Sequence, residues 1–125
     1  NEVCDVNPFG IEALMAAYND SEEWLDKLNH YLFANYNYLK NYFKEHLLQF
    51  PVIRLEGTYL VWIDCSVLKL SSKEIVKTLL KRGKIRVNEG SLYGEAGDHF
   101  IRINIACPRQ TLIDGLNRIR CALSN

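Results

Sequence analysis

Phe100-Ile101-Arg102-Ile103-Asn104-Ile105-Ala106-Cys107-Pro108-Arg109 decides how this chain folds. With His99 before it, the stretch alternates as a β-strand through Ala106. Successive side chains of a strand point to opposite faces, so Ile101, Ile103 and Ile105 form one face. Phe100, Arg102 and Asn104 form the other. Pro108 then opens a helix, because its fixed φ suits a first helical turn and its missing N–H is not needed there. An arginine in so apolar a strand needs a partner, since its charge is costly to leave dry. Its planar fork matches a carboxylate. That carboxylate belongs either to a ligand or to an Asp or Glu of the same domain.

Upstream of that strand, a loop from Asn88 to Gly97 carries Gly90, Gly94 and Gly97. Ile85–Val87 reads as a short strand before it. Ser71-Ser72-Lys73-Glu74 has the spacing of a capping box and predicts a helix from there through Leu80, ending near Gly83. Thr58–Cys65 is rich in Tyr, Val, Trp and Ile and predicts a buried strand. Val52–Leu55 predicts another short strand. Earlier still, Trp24, Leu25, Leu28, Tyr31, Leu32, Leu39, Phe43 and Leu47 recur at helical steps, predicting one long helix to about Leu48. Asp20 with Glu23 reads as its cap. A short helix, Ile11–Tyr18, follows the turn-like Asn7-Pro8-Phe9-Gly10. The order predicts an α+β fold: a small, mostly antiparallel sheet of three or four strands, packed by helices and preceded by a long helix. The 125 residues are expected to form a single domain.

Composition narrows the function. Fifteen Lys and Arg balance fifteen Asp and Glu. Binding nucleic acid or anionic membrane by bulk charge needs an excess of cations, so neither partner is expected. No apolar run approaches the 18 or so residues of a membrane span. Asn1–Pro8 shows neither a basic start nor an apolar core of a secretory signal. Cys4, Cys65, Cys107 and Cys121 lack metal-ligand spacing and read as free thiols of a reducing cytoplasm. His30, His46 and His99 are not placed to relay a proton. No Gly-x-Ser-x-Gly elbow occurs, and the loop glycines do not fit the dinucleotide fingerprint.

The Phe100–Arg109 stretch resembles the C-terminal arginine motif of class I/II aminotransferases, the fold-type I pyridoxal-phosphate enzymes. Its Cys107-Pro108-Arg109 ending is most similar to the cystathionine β-lyase (C–S lyase) branch. Other segments agree, in order along the whole chain. Asn7–Gly10 and Ala16-Ala17-Tyr18 resemble the join into the family's small domain. Glu23-Trp24-Leu25-Asp26, with Tyr31-Leu32 and Asn35, resembles its long inter-domain helix. Gly57–Asp64 resembles its TYL-W-D strand, and Gly90–Gly94 with Gly97 its active-site-edge loop. Glu89 stands where the family more often has proline.

The resemblance implies the C-terminal small domain, about the last third, of a homodimeric enzyme with a large cofactor-binding domain. In such a parent, pyridoxal phosphate is held by the large domain, and none is expected on this chain alone. Arg102 matches the arginine that binds the substrate α-carboxylate, and Asn104 shares its face as a support for it. Tyr93 and Gly94 would lie at the mouth of the site. No lysine sits in the family's Schiff-base motif, so no catalytic, cofactor-binding or metal-ligating residue is assigned. The substrate would be an L-amino acid, with cystathionine or cysteine-like compounds favoured. The alternative is a stand-alone binding or dimerising module that keeps the fold without the catalyst.

Overall fold

The computed structural model describes residues 7–123. Two compact units divide the chain, Asn1–Tyr31 and Leu32–Asn125. In the first, helix α1 spans Pro8–Asp20 and helix α2 begins at Glu22. Asn7 caps α1 by accepting a hydrogen bond from the Gly10 N–H at 2.8 Å, and Pro8 occupies the first turn. The capping role expected of Asp20 is not realised. Asp20 is the last residue of α1, and Ser21 makes the break with φ −115° and ψ 14°. None of α1 is buried, so Phe9, Ile11, Leu14, Met15 and Tyr18 are all exposed.

The second unit takes the rest of α2, which ends at His46. Strand β1 follows at Leu60–Asp64 and helix α3 at Ser72–Thr78. Strand β2 is Asn88–Glu89, strand β3 Phe100–Asn104 and helix α4 Arg109–Leu123. The sheet is antiparallel with β3 in the middle, in the order β1-β3-β2. This is the α+β architecture expected from the sequence, with the capping box at Ser71 formed: its hydroxyl accepts from the Glu74 N–H, and Glu74 reaches back to the Ser71 N–H. A π-helical turn, Leu79–Gly83, extends α3.

Three strand boundaries differ from expectation. β1 starts at Leu60 because Thr58 takes a left-handed φ of 65°, which breaks a strand. Val52–Leu55 yields only one bridge, Val52 to Ile63, before the chain turns away and the Leu55 N–H meets the Tyr36 hydroxyl. Ile85–Val87 is not paired; the pairing falls on Asn88 and Glu89 instead. Continuing that register would set Arg86 opposite Asn104, the last residue of β3, whose Oδ1 accepts from the Ala106 N–H at 2.8 Å.

Alternation along β1 and β3 sets the layers. Val61, Ile63, Ile101 and Ile103 are buried, as is Ile105 beyond the strand end. They share one core with Leu39 and Phe43 of α2, Ile75 of α3, and Leu116 and Ile119 of α4. Fully burying each such side chain stabilises the fold by about 1.5–3 kcal/mol.

A buried amide ties this core together. Asn35, fully buried on α2, donates from Nδ2 to the carbonyls of Ile105 at 2.8 Å and Cys107 at 3.0 Å. Its Oδ1 accepts from the Arg109 Nε–H at 2.8 Å. One side chain thus pins the turn between β3 and α4 to α2. Asn35→Ala strips partners from two carbonyls and a guanidinium, and should lower stability by about 2–4 kcal/mol. Urea unfolding checks this; a loss below about 1 kcal/mol would remove the latch role.

Candidate active-site wall on the open face of the sheet

On the face away from the core, the register lines up three side chains across three strands. Arg102 of β3 stands opposite Trp62 of β1 on one side and opposite Asn88 of β2 on the other. Directly opposed residues share a face and lie close enough to interact. Tyr93, from the loop after β2, closes over this row. The Arg102 guanidinium sits 4.2 Å from the Tyr93 ring centroid. Such a cation–π contact is worth about 0.5–2 kcal/mol, depending on exposure. Tyr93 is itself braced twice. Its hydroxyl accepts from the Asn88 Nδ2 at 3.0 Å, and Trp62 meets its ring edge to face at 5.5 Å. Phe100 adds a second edge contact to Trp62.

The glycine-rich loop that carries Tyr93 is closed by backbone against backbone. A Cβ at Gly90 would meet the Gly97 carbonyl oxygen at 2.1 Å, and one at Gly97 would meet the Gly90 oxygen at 2.3 Å. Gly94 follows Tyr93 with φ 118°, a conformation nearly reserved for glycine. The loop is latched to the start of α3. The Ser72 N–H donates to Asp98 Oδ1 at 2.8 Å, and the Ser91 N–H to the Ser72 hydroxyl at 3.2 Å. Backbone N–H groups of Ser72 and then His99 hold the Asp98 carboxyl below its usual range. His99 has φ 69°, and its Nδ1–H donates to the Leu70 carbonyl at 2.7 Å. A carbonyl can only accept, so this nitrogen carries the proton.

Arg102 is half-buried, and no carboxylate lies within ion-pair distance of it among the described residues. It also borders an open groove of about 500 Å³ beside α4, with Asn104, Lys84, Arg86 and Arg118. The acidic side chain on that groove, Asp114, is already engaged by Arg118 at 2.7 Å. The lining therefore carries a surplus of positive charge, suited to an anion. Of the four residues expected at the site, Arg102 and Tyr93 are in contact. Gly94 sets the turn beside Tyr93. Asn104 shares the groove with Arg102 and hydrogen-bonds its own chain at Ala106. Trp62 and Asn88 join them through strand register, which no sequence motif announces.

All eight lysines are exposed. Among the described residues, no group of three His, Cys, Asp or Glu could hold a metal. No described helix is long and apolar enough to cross a membrane. Cys65 and Cys121 are free thiols, Cys4 lies outside the described residues, and burial pushes the Cys65 thiol up to about 12.

Comparison with known proteins gives this geometry a family. No family model matches the chain. Cystathionine β-lyase PatB of Bacillus subtilis is 36% identical over 124 residues, which is 99% of this chain and 32% of PatB. The pyridoxal-phosphate-bound C–S lyase of Staphylococcus hominis superposes with a TM-score of 0.88 at 34% identity, over 95% of this chain and 32% of that one. The chain belongs to the fold-type I pyridoxal-phosphate enzymes. Its fold is that family's small domain, on the C–S lyase side. Cystalysin of Treponema denticola, which contains the same cofactor, gives a TM-score of 0.90 at 29% identity, over 96% of this chain and 30% of cystalysin. An aspartate aminotransferase of Pyrococcus horikoshii is among the more distant relatives. The chain spans about a third of the length of the relatives it matches.

Two predictions follow from the loop. Gly90→Ala forces one backbone off another and should cost at least about 2 kcal/mol. Gly57→Ala, where a Cβ meets nothing within 4 Å, should be nearly neutral; equal melting points for the two variants would contradict the close approach. Asp98, with its folded pKa depressed below 3.8, contributes stability that is present above the unfolded value and lost as pH falls through the folded one. The stability gap between wild type and Asp98→Asn should therefore be widest at neutral pH and close below about pH 4. A gap constant down to the acid limit would deny the charged latch.

Proposed function

We propose that this chain is the C-terminal small domain of a longer pyridoxal-phosphate enzyme, and that Arg102 binds the α-carboxylate of its amino-acid substrate. The observation that carries this reading is the state of Arg102: half-buried, covered by Tyr93, and lacking a carboxylate partner among the described residues. A structural arginine in such a strand would have found an acid nearby, because its charge is costly to leave uncompensated.

The chemistry assigned to this chain is binding and orientation. The guanidinium fork takes both oxygens of a carboxylate in parallel hydrogen bonds, and the cationic groove favours the anion's entry. With the carboxylate fixed, the bonds to the substrate's Cα have one orientation relative to the cofactor, and holding that orientation contributes to the rate. Pyridoxal phosphate and its lysine belong to the large domain of the same polypeptide, outside this chain. The reaction we favour is C–S β-elimination on cystathionine or a cysteine-like compound, supported by PatB and the C–S lyase. Transamination is the second reading, supported by the aminotransferase relative. The working enzyme is proposed to be cytoplasmic and a homodimer.

In the full polypeptide carrying this segment, Arg102→Ala should lower kcat/KM by two to four orders of magnitude, roughly 3–5 kcal/mol of transition-state stabilisation. Arg102→Lys should restore only part, because a point charge cannot make the fork. An unchanged kcat/KM for Arg102→Ala would sink the carboxylate role. A full polypeptide without a Schiff-base lysine would instead favour a binding module that keeps the fold.

A further inference from the structure

We infer that Asn88 is a positioning residue for carboxylate recognition, acting through Tyr93 on Arg102; the inference rests on the proposed role of Arg102. An arginine side chain has several rotatable bonds, while a bidentate grip needs its fork in one plane and one direction. Something must choose that plane. The strand fixes where Arg102 starts, and the Tyr93 ring, 4.2 Å from the guanidinium carbon, limits where it ends. The ring's own position is then decisive, yet Tyr93 is about half exposed and sits on a loop tip next to Gly94.

Asn88 supplies the missing restraint. Its Nδ2 donates to the Tyr93 hydroxyl at 3.0 Å. The same residue is the direct cross-strand partner of Arg102. The ring that covers the arginine is thus tied back to the arginine's own neighbour, closing a short circuit: β3 backbone to β2 backbone, Asn88 to Tyr93, Tyr93 to Arg102. Trp62, the partner on the other strand, packs edge-on against the ring without a directional bond to its hydroxyl. Asn88 is exposed and takes no part in the core, so its side chain serves the sheet face and not the fold beneath it.

The test is binding of L-alanine, with L-alaninamide as a probe lacking the carboxylate, to the full polypeptide by equilibrium dialysis. Asn88→Ala should weaken L-alanine about five- to tenfold, the usual worth of one partly exposed hydrogen bond, and leave L-alaninamide unchanged. Tyr93→Phe keeps the ring and loses the hydroxyl, so it should match Asn88→Ala. The double variant should be no worse than either, because both remove the same bond. Losses that multiply in the double variant, an unchanged Asn88→Ala, or equal losses for acid and amide would overturn the positioning role. If Asn88→Ala fails to fold, Tyr93→Phe with unchanged L-alanine binding overturns it equally. L-alanine binding that survives Arg102→Ala overturns the underlying reading instead, and is distinguishable because Arg102 is then irrelevant whatever Asn88 does.

Discussion

β3 is bonded on both edges, and that constraint organises the second unit. A central strand has its register fixed twice over, and a slip of one residue would turn every side chain to the other face. With Ile101 and Ile103 committed to the core, Arg102 has no choice of direction. The same two ladders that bury the isoleucines set Trp62 and Asn88 on either side of the arginine. Core packing and site geometry therefore share one cause. A change that shifted β3 would disturb both together.

The ends of β3 are held as firmly as its edges. At the start, His99 takes a left-handed turn and bonds the carbonyl of Leu70, while Asp98 bonds the first turn of α3. At the far end, Asn35 gathers the carbonyls of Ile105 and Cys107 and the side chain of Arg109. Buried polar groups persist only when fully partnered, and no buried side-chain N or O among the described residues lacks a partner. The rigidity this gives suits the role proposed for Arg102, holding a substrate in one orientation. It also suits the glycine loop, where contact between Gly90 and Gly97 narrows the freedom of Tyr93 without covering it.

On the proposed reading, this chain carries a substrate contact and not the chemistry. All eight lysines are exposed, and no group of three His, Cys, Asp or Glu among the described residues could hold a metal. A cationic groove remains, bordered by an arginine with no acid partner among the described residues. The proposed division of labour would keep the reacting groups on one body and the grip on another.

Period-two alternation around Arg102 was legible in the sequence, because burial of Ile101 and Ile103 depends only on strand geometry. The capping box at Ser71–Glu74 was legible too, since both of its hydrogen bonds are local. So was the family, through Phe100–Arg109 in its ordered context. Boundaries were less so: Thr58 adopts a left-handed backbone that its residue type does not signal, and the strand expected at Ile85–Val87 is paired at Asn88–Glu89 instead, a register set by β3 far along the chain. The neighbours of Arg102 were decided by tertiary structure alone. Trp62 and Asn88 lie 40 and 14 positions from it in sequence, and only pairing in register makes them adjacent. Asn35 is legible as a motif residue, but its role is not, because its partners come 70 or more residues later. Local bonds and single-strand periodicity are written in neighbouring residues; contacts between distant segments exist only once the strands have chosen their partners.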